Sequence, residues 1–534
     1  MRTTGIRVLL AAWLLWSAAG AWPVAVVEGD GAAIALVADQ WAEQGAAALK
    51  DAYRYEMQPG TYVLLMLLAR VLHADALVAF SLLSAAAAAA LILLSARWIS
   101  KRADLPFAMC GLVVMLFQET WTSAYYPNST ILAAALVVLA FNLLGGARDR
   151  RKLVLGGLVF GLACWMRLDA VVVAPAVPLV LGPTGSGRVA RPAALAAAVA
   201  AVTLLTAMFA SGVEISAVRG SYVRHHDAAG SWNLVLKSFL AFFSMVVLLL
   251  AGLGSWRIVA NRQWREAAVV VLGAAPLVLV LRSSLTTPKY LLYVVPLVGL
   301  LAAQGVAAWQ ESGGTRRRIL AASAAVLFAL QYPLGFQVDY AQGFHPGPHP
   351  TLLRLASVPV GRAGVEKVTL VLGAGATVST HDALRLSSGI LFSNGTWRYY
   401  KWESAAAVEA IRGYLRDSPA GTIGVWIEEP REALQLTEFA LVRAGFRQAG
   451  VPADGSPPFW KKDGRMARVF CGENGLRQAD QLGAACPLLA VVLWNDRAPP
   501  ILRERFPEAE RLTGAGASFN TYVLRPAADR APIR

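Results

Sequence analysis

Residues 60–72, GTYVLLMLLARVL, decide how this chain is threaded. They are apolar enough to look like a membrane span, yet thirteen residues of helix reach only about 20 Å, well short of a hydrocarbon core of about 30 Å. The basic loops choose between lying flat and crossing. If 60–72 lies flat, five clusters share one side with Arg2 and Arg7: Arg97/Lys101/Arg102, Arg148/Arg150/Arg151/Lys152, Arg188/Arg191, Arg257/Arg262/Arg265 and Arg316/Arg317/Arg318. If it crosses, every one of them moves to the other side. Lys and Arg collect on the cytoplasmic side of membrane proteins, so the segment reads as an interfacial helix with the amino terminus cytoplasmic. Residues 28–74, 119–128, 212–237, 282–289 and everything after about 336 then face outward.

The rest of the chain agrees with a membrane setting. Apolar residues make up 56% and charged residues only 16%, with a mean hydropathy of +0.50, a balance no soluble fold has. The formal charge of +15 lies in short connectors between apolar runs, where it sets topology, so no nucleic-acid partner is implied. After a first helix at Ile6–Val27, charge-free apolar segments recur at about 76–96, 105–118, 129–144, 153–166, 170–182, 193–211, 238–255, 267–281, 290–308 and 319–336. The expected fold is a polytopic α-helical membrane protein with about eleven transmembrane helices plus interfacial helices. A cleaved signal peptide is the alternative for residues 1–20, with Ser17-Ala18-Ala19-Gly20 as its cleavage site; the ten later spans favour an uncleaved helix.

The outer loops hold the chemistry, because the inner ones are short and basic. Two carboxylates, Glu28 and Asp30, stand where the first helix leaves the membrane, and the same loop carries Asp39, Trp41, Glu43, Asp51, Arg54 and Glu56. A later loop carries Glu214, Arg219, Arg224, His225, His226 and Asp227. Adjacent His-His-Asp side chains point in different directions and no spaced Cys or His supports them, so no metal site is assigned. Arg282 and Lys289 bracket a polar turn ahead of LLYVVPLVGLLAAQG, which places two cations at headgroup depth, suited to a lipid phosphate. Equally, both are read as snorkelling anchors of helix ends.

A set of short motifs carries a family likeness: the acidic pair after the first helix, Gln58-Pro59-Gly60-Thr61-Tyr62, Tyr125-Tyr126-Pro127-Asn128, GLVFGLACWMRLDA (157–170) and PKYLLYVVPL (288–297). In order and placement they resemble the GT-C glycosyltransferases, in the bacterial branch related to protein O-mannosyltransferases and to aminoarabinose or galacturonic acid transferases of lipid A. The likeness covers about residues 1–335. It implies an inverting enzyme of the bacterial inner membrane that takes a sugar from a polyprenyl phosphate donor to a glycolipid, glycan or protein acceptor on the outer face. No further cofactor is firmly implied, and a divalent metal stays open.

By the resemblance Asp30 is the catalytic base, with Glu28 beside it, since an acceptor hydroxyl needs a carboxylate to take its proton. Lys289, Arg282 and Tyr290 would hold the lipid phosphate, whose charge grows as it leaves. Glu56, Arg219, Arg224 and His225 are further candidates for substrate contact. Relatives often have Lys or His beside the interfacial Pro and Asp in the turn before the fourth span, where this chain has Met57/Gln58 and Asn128. Arg167 and Asp169 read as an ion pair that satisfies a tight outer turn.

Beyond about residue 336 hydropathy falls, which divides the chain into a membrane domain, 1–335, and an outward α/β domain, 336–534. Segments 365–373 and 422–429 read as strands, and 404–417 and 431–446 as amphipathic helices. Gly373-Ala374-Gly375 after a strand is a lone G-x-G and no nucleotide site. Cys110 and Cys164 fall inside spans as small apolar packers, whereas Cys471 and Cys486 are candidates for a disulfide worth about 3 kcal/mol in an oxidising compartment. The competing functional readings are a polyprenyl-lipid transporter or flippase and a non-catalytic envelope assembly protein. Ion-driven transport would place ionisable residues midway along helices, where the spans have none.

Overall fold

The computed structural model describes residues 4, 8, 11, 31, 33–38, 55–72, 76–117, 120, 128–146, 149–181, 190–214, 216–218, 243, 245–282 and 288–330 of the helical part, and 336–339, 343–346, 370–372, 376–378, 395–397, 410–418, 421–427, 437–438, 440–450, 459–471, 488–493, 510–511 and 519–524 beyond it. The chain divides into two compact units. The first comprises Met1–Pro23, Trp41–Leu355 and Leu384–Trp397; the second comprises Val24–Gln40, Ala356–Ala383 and Arg398–Arg534.

The first unit is helical: α1 (Pro59–Leu72), α2 (Ala76–Ala103), α3 (Phe107–Met115), α4 (Ser129–Leu144), α5 (Arg150–Met166), α6 (Val177–Leu181), α7 (Ala190–Ala210), α8 (Met245–Ala260), α9 (Trp264–Arg282), α10 (Val295–Glu311) and α11 (Gly314–Leu330). Among the described residues, α2 and α7 are long and apolar enough on their own to cross a bilayer. With the shorter apolar helices around them they make a helical membrane protein. Segment 60–72 is helical, as expected, and buries one side through Tyr62, Leu65 and Met66 while Leu67, Val71 and Leu72 stay exposed.

Local chemistry explains where these helices begin, end and touch. The Asn128 side chain accepts from the Thr130 amide at 2.9 Å and starts α4, and Asp149 does the same for α5 through the Arg151 amide. On α5, Gly157 and Gly161 lie one turn apart, where an added Cβ would come within 2.5 Å of the Ala196 carbonyl oxygen and 2.6 Å of that of Ala200 on α7. Small residues here let two backbones meet. Gly254 of α8 and Gly305 of α10 meet the Leu301 and Leu250 carbonyls in the same way.

One expected span forms differently. Leu168–Ala176 is a 3-10 segment containing Pro175, followed by the five-residue α6. Val171–Val173 are β-branched, and Pro175 and Pro178 lack amide donors, so a continuous α-helix over 170–182 is disfavoured. Cations cap the far end of α6: Arg265 donates to the Leu179 carbonyl at 2.8 Å, and Arg102 donates to that of Val180 at 3.1 Å while pairing with Glu266 at 2.6 Å. Cys110 and Cys164 are free and buried, as expected of apolar packers.

The second unit contains a seven-stranded sheet in the spatial order 510–511, 519–524, 488–493, 422–427, 465–471, 459–462, 447–450. Its centre is strand 422–427, parallel to both 465–471 and 488–493, and Ile423, Val425, Trp426 and Ile427 are buried there. That strand and the helix at 410–417 fall where the sequence places them. Of the expected helix 431–446, residues 437–438 and 440–443 are helical; of the expected strand 365–373, residues 370–372 are extended.

Candidate active site

The site is built where the ends of several elements meet. Helix α5 stops at Met166 because Arg167 turns extended, at φ −157° and ψ 118°, and its side chain folds back among the helix ends. Segment Gln58-Pro59-Gly60-Thr61 docks on that terminus. The Thr61 hydroxyl donates to the Met166 carbonyl at 2.8 Å, satisfying one of the acceptors a helix end leaves open. Gly60 lies so close that a Cβ would meet the Trp165 ring at 2.7 Å and Met166 Cα at 2.9 Å. The Trp165 indole in turn donates to the Ser211 hydroxyl at 2.9 Å, and the Tyr55 hydroxyl donates to the Ser211 carbonyl at 2.8 Å. Burial pushes the Tyr55 hydroxyl pKa up.

This docking delivers Gln58 to Arg167. Arg167 is 5% exposed and its guanidinium spreads its donors over four residues. Its Nε pairs with Asp169 Oδ2 at 2.8 Å; Nη1 donates to the Ser129 hydroxyl at 2.6 Å and to Gln58 Oε1 at 3.1 Å; Nη2 donates to the Tyr290 hydroxyl at 3.1 Å. Ser129 closes the circuit by donating to Gln58 Oε1 at 2.8 Å. Its neighbour Asn128 takes its amide to the Ser84 hydroxyl at 2.9 Å. The guanidinium carbon also lies 5.3 Å from the centre of the Tyr290 ring, in cation–π range. A buried Arg is stable only when its charge and donors are both met, and the planar fork does so here in three directions.

Three of the last four motifs therefore supply members, Gln58, Arg167 with Asp169, and Tyr290, while Ser129 directly follows the Tyr125–Asn128 motif. The Arg167–Asp169 pair exists, but it is more than the local turn its spacing implies, since it joins segments distant in sequence. Sequence reasoning assigned no functional role to Arg167, Asp169, Gln58 or Ser129. The signal that could have found them is the presence of polar residues inside, or for Ser129 directly after, the motifs that carried the family likeness.

The other candidates are placed less fully. Tyr290 joins the cluster. Lys289 lies in the 3-10 segment Pro288–Tyr293 and Arg282 ends α9, each described by its backbone alone. Glu56 sits half-buried in a 3-10 turn, Tyr55–Met57, just before Gln58. Glu28, Asp30, Arg219, Arg224 and His225 lie outside the described residues, as does Cys486; Cys471 ends a strand and only its backbone is described. Among the described residues no three of His, Cys, Asp and Glu gather as metal ligands.

No protein-family model matches the chain, and no curated protein matches it in sequence. Solved structures do match. ArnT from Cupriavidus metallidurans bound to undecaprenyl phosphate superimposes with a TM-score of 0.61 at 14% identity, covering 98% of each chain. The same protein in the apo state gives 0.55 at 13% identity, again over 98% of each chain. ArnT is a lipid A aminoarabinose transferase of the GT-C superfamily. The expectation raised by the motifs thus holds for the architecture: this chain is built on the GT-C fold.

Proposed function

We propose that the chain is an inverting glycosyltransferase, moving a sugar from a polyprenyl phosphate donor to a glycolipid, glycan or protein acceptor on the outer face of a bacterial inner membrane. The observation that carries this reading is the convergence of motif residues on Arg167, within a fold shared with a protein solved with undecaprenyl phosphate. In this reading Asp30, with Glu28 beside it, removes the acceptor proton as the new bond forms, and the donor phosphate departs against Lys289 and Arg282. Tyr290 borders that phosphate site from the Arg167 cluster. Glu56, Arg219, Arg224 and His225 contact the substrates. The amino terminus is cytoplasmic and residues 336–534 are periplasmic, so donor and acceptor meet outside.

The test is a purified-protein assay with radiolabelled polyprenyl-phosphate sugars and membrane glycolipid acceptors. Label should move to the acceptor with release of polyprenyl phosphate, and Asp30→Asn should lower turnover by about 10²-fold or more while the donor still binds. A flippase would carry the labelled lipid across vesicles without consuming it. That result, or normal turnover of both Asp30→Asn and Glu28→Gln, would refute the proposal.

A further inference from the structure

A second feature lies at the opposite end of the helices. Helix α5 runs 17 residues, about 25 Å, from Arg150 to the Arg167 cluster, and its first turn exposes Arg150, Arg151 and Lys152. Helix α2 ends nearby, exposing Arg97 and Lys101. Helix α4 lies between the two. Asn142, near its end, donates to the Leu94 carbonyl of α2 at 2.9 Å, and Gly156 of α5 packs against Leu143 and Leu144. The cations of α2 and α5 therefore flank one helix end. Arg97 and Lys101 stand four residues apart on α2, so their like charges share one face and repel. Among the described residues, no carboxylate pairs with any of the five.

The patch continues as an apolar strip. Arg151, Val154, Leu155 and Leu158 recur at three- and four-residue spacing on α5, and all four are exposed. A cationic head above such a strip is the complement of an amphiphile with a phosphate head and an acyl tail. Charges that served only to orient the chain would need neither mutual crowding nor an adjoining apolar track.

We infer that the ends of α2 and α5 form a binding site for one anionic phospholipid, its phosphate among Arg97, Lys101 and Lys152 and one acyl chain along Val154, Leu155 and Leu158. The site is independent of the transfer reaction proposed above. Full-length protein in phosphatidylcholine nanodiscs is titrated with phosphatidylglycerol, and binding is followed by native mass spectrometry. Lys101→Gln/Lys152→Gln should weaken retention of the bound anionic lipid about tenfold or more, and Lys101→Arg/Lys152→Arg should restore it. Arg148, Arg150 and Arg151 remain, so orientation is kept. A photoactivatable phosphatidylglycerol analogue should label peptides 97–103 and 150–158 of the unmodified protein, with competition by phosphatidylglycerol and not by phosphatidylcholine. Equal retention by the Gln variant, or labelling that phosphatidylcholine competes equally well, would overturn the site.

Discussion

Truncating Arg167 would remove a partner from Asp169, Tyr290, Gln58 and Ser129 at once, leaving the Gln58 and Ser129 side chains only their bond to each other, because one side chain serves all four. Breaking a buried ion pair from one side costs about 3–5 kcal/mol, so Arg167→Ala should lower the thermal midpoint sharply as well as abolish transfer. Arg167→Lys is the sharper experiment. It keeps the charge but not the planar fork, so unfolding should change less while turnover still falls, as measured by calorimetry beside the labelled-lipid assay. Lys289→Gln belongs at the same scale: donor affinity and turnover should both drop, since the leaving phosphate is more negative than the bound one, whereas a snorkelling anchor would leave both unchanged. Arg167 and Asp169 were legible in sequence only as neighbours. Their spacing of two reveals a turn, but the partners lie 38, 109 and 123 residues from Arg167, and only helix packing brings them there.

Among elements, the decisive contact is α1 on the end of α5. Gly60 permits it, since any Cβ would strike the Trp165 ring and Met166. Gly60→Val should displace Thr61 from the Met166 carbonyl and withdraw Gln58 from Arg167, reducing turnover by more than tenfold while α1 still forms. Cysteine crosslinking between positions 57 and 210 before and after substitution reports the displacement; unchanged crosslinking with full activity would refute it. Much of this level was readable beforehand. The shortness of 60–72 and the Pro-Gly start both have a structural counterpart. The segment after Arg167 was not, because apolar periodicity does not separate an α-helix from a 3-10 run in a stretch such as LDAVVVAPA.

For the molecule as a whole, the second unit brings a pH dependence of its own. Burial raises the Glu438 carboxyl from 4.5 to about 7. Below pH 4.5 it is neutral whether the unit is folded or not, and the full stability is present; as pH rises toward 7 only the unfolded chain ionises freely, and stability is lost. The loss approaches about 3 kcal/mol above pH 7. Glu438→Gln should remove that slope, seen as pH-independent protection of strands 422–427 and 465–471 in hydrogen exchange corrected for intrinsic rates; a slope that persists would exclude Glu438 as its source. The Arg167 cluster, finally, has an order of arrival. Gln58, Ser129 and Asp169 are all synthesised before or beside Arg167, whereas Tyr290 follows 123 residues later, about 6–25 s of translation at roughly 5–20 residues per second. The guanidinium can thus be neutralised by early partners during insertion, and the late helices find a finished receptor whose last vacancy is a phenol. A ribosome stalled before residue 290 should already hold the first half of the site.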